Sequence, residues 1–190
     1  MNYEKRTLPN GVRILTEQVP GVRSACLGIW VGTGSRHELP GENGAAHFIE
    51  HMLFKGTSRR TAAQLAEEMD AIGGQVNAFT TKECTCFHAR VLDTHLPLAS
   101  DILCDMFFHS NFADSDVETE RGVILEEIGM YEDTPEDLCA ERLAGVVFQG
   151  SPLARPILGK RSTLEKMDGA WLRQYKDSHY GPESIVVTLA

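Results

Sequence analysis

The sequence predicts an α+β fold, a mixed or antiparallel sheet covered by helices. Strand-like and helix-like segments occur in blocks rather than in strict alternation, which separates this class from a doubly wound parallel sheet. Of the 190 residues, 42% are hydrophobic, enough to build a substantial core as one domain or at most two. Charged residues make up 24%, an ordinary share for a globular chain.

Residues 12–19 and 24–31 read as two strands, and Pro20-Gly21 between them suits a hairpin turn. Gly32, Gly34 and the polar run 35–43 form a loop. A compact helix follows over 44–54, with Gly56 placed to cap its end. Thr61-Ala62-Ala63-Gln64 is a capping box, and the helix it opens stops at Gly73-Gly74. Residues 75–81 and 84–91 form a strand pair joined near Lys82-Glu83. Three helices come next, at 95–110, 114–132 and 135–148, the last opened by Thr134 as a cap and Pro135 at the first helical position. A helix at 168–180 precedes a final strand at 184–190. That strand runs to Ala190 without a turn or polar tail, so a longer parent chain is expected. No internal repeat, low-complexity run or linker is visible.

The net charge of −9 argues against a nucleic-acid partner, which requires clustered Lys and Arg. Runs such as Arg59-Arg60 and Lys160-Arg161 read as solvated loop charges. Five cysteines, Cys26, Cys84, Cys86, Cys104 and Cys139, form no disulfide framework and suit a reducing compartment. Cys84 and Cys86, two apart in a strand, read as small packing residues on one face rather than metal ligands. The N-terminus shows neither a signal peptide nor a presequence, and no segment is apolar enough to span a membrane. The expected location is therefore cytoplasmic with no membrane partner, although a processed mature form would read the same.

The chemistry is concentrated in His47-Phe48-Ile49-Glu50-His51. Positions i, i+3 and i+4 share one helical face, so His47, Glu50 and His51 stand together. Two imidazoles one turn apart suit one Zn²⁺, and the glutamate between them suits a general base beside the metal's open position. The order is the reverse of His-Glu-x-x-His. The same five residues also arise by chance on a wet helix.

A further ligand is sought in the helix over 114–132. Val117, Val123, Ile124, Ile128 and Tyr131 recur at helical spacing and predict a buried stripe that also contains Glu120 and Glu127. Glu126 is turned away by roughly 100° and should face solvent. Buried carboxylates need partners, which a metal and its imidazole ligands would provide; salt bridges to Arg or Lys are the alternative.

At this point the residues resemble a family. His47 to Phe54, followed by Lys55-Gly56-Thr57, is similar to the M16 metallopeptidases, the family of pitrilysin, insulin-degrading enzyme and the mitochondrial processing peptidase. The likeness extends through Leu8-Pro9-Asn10-Gly11-Val12, read as the opening strand, and Gly73-Gly74-Gln75-Val76-Asn77-Ala78 on the substrate side. It continues through Glu120-Arg121, Glu126-Glu127-Ile128, Met130, Asp133, Pro135 and Pro156-Ile157-Leu158-Gly159, which match the bacterial and processing-peptidase branch.

The resemblance implies one half of an M16-type clamshell. Residues 1–190 would be the N-terminal catalytic domain, and a second homologous half lies outside this chain. It implies one Zn²⁺ per chain held by His47, His51 and Glu127, with Glu50 as the base and Glu120 orienting a ligand histidine from behind. It implies an extended peptide substrate adding to the strand of Asn77, Ala78 and Phe79, a segment that otherwise reads as an ordinary internal strand. The implied partner is the C-terminal half of the parent protein or a second copy of the chain. A non-catalytic partner subunit, or a truncated fragment that binds zinc but hydrolyses poorly, are the rival functions. His37, His88, His95, His109 and His179 have no ligand partner at useful spacing.

Overall fold

Alternation of apolar and polar residues in 24–31 and 85–92 builds the centre of the sheet. The computed structural model describes residues 3–190. Strands β1 (Tyr3–Thr7), β2 (Arg13–Glu17), β3 (Ser24–Val31), β4 (Gln75–Thr80), β5 (Thr85–Leu92) and β6 (Ile185–Leu189) form one sheet in the order β1-β2-β6-β3-β5-β4. Every neighbouring pair is antiparallel except β2 and β6, which are parallel. Helices α1 (Ala45–Met52), α2 (Ala62–Ala71), α3 (Leu96–His109), α4 (Asp114–Asp133), α5 (Pro135–Val147), α6 (Arg161–Leu164) and α7 (Gly169–His179) complete the chain. The α+β class with a mixed sheet is thus the observed one.

The core lies between the sheet and its helices. Leu27, Ile29 and Val31 of β3 and Phe87 of β5 pack against Phe48, Ile49 and Met52 of α1, Leu103 and Phe107 of α3, and Ile124 of α4. A second cluster joins Ala25, Ala89 and Val91 to Leu65 and Met69 of α2 and to Ala99, Ile102 and Met106 of α3. On the opposite face Cys26, Trp30, His88 and Arg90 are partly buried or exposed, while Gly28 and Cys86 are buried. The capping box at Thr61 forms as expected, with Thr61 Oγ1 accepting from the Gln64 N–H and Gln64 Oε1 from the Thr61 N–H. No helix among the described residues is long and apolar enough to cross a membrane.

Four expectations are corrected. Pro20-Gly21 does not turn a hairpin: β2 and β3 are separated by β6, which is inserted between them from the far end of the sequence. Residues 8–12 are not a strand but the turn of the β1–β2 hairpin, closed by Leu8 N–H to Val12 O at 2.8 Å and Gly11 N–H to Leu8 O at 2.9 Å. Asn-Gly within that turn supplies the positive φ at Gly11 that the reversal needs. Gly56 also has a positive φ, but it follows the α1 cap, Leu53, by three residues and turns the loop rather than the helix end. Thr134 does precede α5, yet its hydroxyl donates back to Met130 O in α4 instead of capping α5.

One close approach ties distant segments to α1. Gly44, the N-cap of α1, has φ +100°, and Gly159 has φ +82°. A Cβ on Gly159 would lie 2.5 Å from Asn43 O and 2.6 Å from Gly44 Cα, inside any allowed contact. We predict that Gly159→Ala costs on the order of 2–4 kcal/mol, from left-handed strain plus overpacking. Urea unfolding checks this, and a change under about 0.5 kcal/mol, typical of a neutral surface site, contradicts it.

Candidate metal centre

Helix α1 is short, and its stability comes from what surrounds its ends as much as from its own hydrogen bonds. Glu38, buried, sits at its N-terminus: Oε2 accepts from the Gly44 N–H and from Asn43 Nδ2, and Oε1 from the Ala46 N–H, all at 2.9 Å. A carboxylate here satisfies orphan donors and meets the positive end of the helix dipole. Burial nevertheless pushes its pKa up, with those hydrogen bonds opposing the shift. Phe48, Ile49 and Met52 anchor the helix in the core with no exposed surface. The remaining face presents His47, Glu50 and His51 toward α4 and the edge strand β4.

Helix α4 brings the carboxylates. Glu120 is buried and Glu127 half-buried, while Glu126 is exposed as its rotation about the helix requires. Val117, Ile124 and Ile128 pack inward, but Val123 and Tyr131, expected in the buried stripe, are exposed at 46% and 41%. The buried arc of α4 is therefore narrower than its apolar residues suggest, and Leu125, partly buried, belongs to it instead.

His47, His51 and Glu127 each offer a ligand atom within 4.8 Å of the others. Glu127 Oε2 lies 3.6 Å from Nε2 of both histidines. That is too long for a hydrogen bond. It is close to the ~3.3–3.4 Å edge of a tetrahedron whose metal–ligand bonds are about 2.0–2.1 Å. Two imidazole nitrogens and one carboxylate oxygen within 4.8 Å of one another are a donor set that Zn²⁺ accepts. His51 turns its other nitrogen, Nδ1, to Glu120 Oε2 at 3.1 Å, and Glu120 Oε1 is paired with Lys55 Nζ at 2.6 Å. His47 Nδ1 is buried without a protein partner.

The electrostatics follow from this packing. Burial, reinforced by the neighbouring His51, lowers the His47 pKa to about 4, so this imidazole is neutral and free to ligate. Burial acts to lower His51 as well, but the carboxylates of Glu127 and Glu120 outweigh it and hold its pKa above the ordinary value. The His51 imidazole in turn holds Glu127 below the usual carboxylate range. Burial raises Glu50, and a hydrogen bond from Thr80 Oγ1 at 2.5 Å opposes that rise.

Asn77, Ala78 and Phe79 lie in β4, which is the free edge of the sheet and not an internal strand. Ala78 is partly buried and the Ala78 N–H is engaged by the side chain of its own neighbour, Asn77 Oδ1, at 2.8 Å. The Phe79 ring packs edge-on to Trp30 at 5.6 Å on the face of the sheet opposite Thr80 and Glu50, so only its backbone belongs to the site. A cleft of about 290 Å³ opens between the edge strand and the helices, lined by Glu50, His51, Phe54, Lys55, Asn77 and Glu120.

Three contributors carried no assigned role in the sequence reading: Lys55 and Thr80, which stood only within the matching segments Lys55-Gly56-Thr57 and Asn77-Ala78-Phe79-Thr80, and Glu38. Lys55 lies in the loop just past the end of α1, where no helical spacing applies, and Thr80 and Glu38 have no local signature either. Cys84 and Cys86 take no part, and all five cysteines are free thiols. His109 pairs with Asp105 and His179 stacks on Tyr175, in keeping with their reading as non-ligands.

The six-stranded sheet and the two-histidine, one-carboxylate cluster between α1 and α4 define an α+β domain with a candidate metal site, and comparison narrows the class. The model of the insulinase family, peptidase family M16, matches residues 13–161, and the chain belongs to that family. It is 50% identical over 187 residues to a Bacillus subtilis protein described as the uncharacterized zinc protease YmxG, covering 98% of this chain and 46% of that protein. It is 40% identical over 184 residues to a probable mitochondrial-processing peptidase subunit beta of Arabidopsis thaliana, covering 97% of this chain and 35% of that one. In fold it is similar to a protease from Helicobacter pylori, with a TM-score of 0.93 over 99% of this chain and 46% of the other at 20% identity. The first half of the Escherichia coli periplasmic protease PqqL superposes with a TM-score of 0.89 over 98% of this chain. The chain thus spans about half the length, or less, of the curated relatives it matches.

The two histidine environments predict how metal uptake depends on pH. At about pH 6, below even the ordinary imidazole value, the metal-free site carries a proton on His51 and none on His47. A divalent metal displaces the His51 proton, so affinity rises with pH and levels off above the raised His51 pKa. Calorimetric titration with Zn²⁺ in buffers of different ionisation enthalpy should therefore show about one proton released at that pH. Release of two would mean that His47 titrates like an exposed imidazole, and release of none that His51 is not a ligand.

Proposed function

We propose that this chain is the zinc-binding catalytic domain of a metallo-endopeptidase that hydrolyses extended or unfolded peptides. The observation that carries the reading is the equal 3.6 Å approach of Glu127 Oε2 to both imidazole Nε2 atoms, with Glu50 beside them on α1. His47, His51 and Glu127 would hold one Zn²⁺. When bound, zinc lowers the pKa of water toward neutrality and polarises a carbonyl oxygen.

The chain's own residues supply the rest. Glu50 takes the proton of the attacking water and returns it to the departing amine, a shuttle favoured by a carboxyl whose pKa burial has raised. Glu120 fixes the orientation of His51 through Nδ1, and Lys55 pairs with the second oxygen of Glu120, so both oxygens of this buried carboxyl have partners. The free edge of β4 accepts a peptide as an added strand through backbone hydrogen bonds, with the Ala78 N–H exchanging Asn77 Oδ1 for a peptide carbonyl. Recognition through backbone implies broad sequence tolerance. The second half of the parent protein would supply the opposite wall of the cleft, and a cytoplasmic setting accords with five unpaired thiols.

Two substitutions separate metal binding from chemistry. In the full-length protein, Glu50→Gln should keep its zinc and lose hydrolysis by at least about 10²-fold, the lower range for removal of a general base. Glu127→Gln should lose zinc affinity itself. Zinc content by atomic emission beside cleavage of a quenched peptide measures both, and equal zinc loss in the two variants would make Glu50 a ligand instead of a base.

A further inference from the structure

We propose that Thr80 is a positioning residue that holds the Glu50 carboxylate in its reacting orientation, making the base and the peptide-docking strand one rigid unit. The inference rests on the reading of Glu50 given above. A glutamate side chain has three rotatable bonds, and α1 fixes only its root. The distal end of Glu50 needs a second anchor, and among the described residues one protein donor reaches it: Thr80 Oγ1, at 2.5 Å from Oε2.

The direction of this hydrogen bond is set by its surroundings. Thr80 has one hydroxyl proton and two oxygens within reach, Glu50 Oε2 at 2.5 Å and Thr85 Oγ1 at 3.5 Å. The second lies at the outer limit of hydrogen bonding, so the proton goes to the much closer carboxylate oxygen. Thr85 is itself committed, donating its proton to Thr33 O at 3.0 Å from a fully buried position. Thr80 and Thr85 face each other in the β4–β5 ladder, so the donor is pinned by strand register and not by a mobile loop.

The placement has a mechanistic consequence. Thr80 ends β4, two residues after Ala78 on the same inward face. A peptide added along the edge takes its position from the backbone of β4, and Glu50 takes its position from the last side chain of that strand. Scissile carbonyl and base are then referenced to the same element, and strand shifts move both together. The test is a set of variants of the zinc-loaded full-length protein: Thr80→Val, which keeps shape and removes the hydroxyl, Thr80→Ser, which keeps the hydroxyl, and Thr80→Ala as a smaller substitute should the valine variant not fold.

Loss of one charge-assisted hydrogen bond to the base should lower kcat for a quenched unstructured peptide by about tenfold to a hundredfold. KM and zinc content should stay within about twofold of the parent, and serine should restore kcat to within about threefold, since the hydrogen bond is retained. Crystal structures provide a readout independent of turnover: the Glu50 carboxylate should keep one orientation in the parent and serine proteins and leave it in the valine or alanine protein. An unchanged kcat without the hydroxyl, a loss matched by loss of zinc, or failure of serine to restore the rate would each overturn the proposal. Glu50→Gln measured in parallel tells the two readings apart. If it still hydrolyses peptide, the role of Glu50 as base is wrong, while an unmoved carboxylate in the Thr80→Val crystal refutes the positioning claim alone.

Discussion

Everything at this site depends on α4 lying against α1 so that one carboxylate reaches two imidazoles. His47 and His51 come from eight residues of local helix, but Glu127 comes from a different element and must arrive within a fraction of an ångström. Bringing two imidazoles and a carboxylate together with little water is unfavourable unless something satisfies them. Part of that demand is met within the protein, by Glu120 on His51 and Lys55 on Glu120. The remainder, the buried Nδ1 of His47 excepted, converges on one point between three donor atoms. The apolar contacts of Ile124 and Val117 with the α1 core set the distance, and the polar residues take advantage of it.

The support of α1 runs in two directions. At its N-terminus Glu38 holds the first turn, Asn43 is tied to Pro156 O and Glu38, and Gly44 meets Gly159 at backbone contact. At its C-terminus the loop carrying Lys55 and Gly56 is tied to α3, where Thr57 Oγ1 donates to buried Asp105 and Arg60 pairs with the same carboxylate at 2.9 Å. A helix of eight residues is marginal alone. Here both ends are clamped by segments far away in sequence, which accounts for the resemblance being spread along the chain instead of confined to the histidine motif.

How much of this could be read from sequence divides along a physical line. Features with a local period were legible: the shared face of His47, Glu50 and His51, the seven-residue spacing of Glu120 and Glu127, the outward Glu126, and the capping box at Thr61. The edge position of Asn77 was legible only through resemblance, since an edge strand and an internal one carry similar patterns. The insertion of β6 between β2 and β3 was not legible, because a turn signal such as Pro20-Gly21 reports a reversal and not which strand becomes the neighbour. Val123 and Tyr131 were misplaced for a related reason: apolar period marks a face but not the width of it that a partner covers. Thr80 and Glu38 act through tertiary contacts alone and leave no mark on the local sequence.

The central claim is that α1 and α4 together make a single zinc site of two imidazole nitrogens and one carboxylate oxygen. X-ray absorption at the zinc edge, on protein loaded with one equivalent of zinc, tests it most directly. The account predicts a first shell of nitrogen and oxygen only, at about 2.0–2.2 Å, with the outer-shell scattering of two imidazole rings. Sulfur scattering near 2.3 Å, or the signature of a single imidazole, would contradict it.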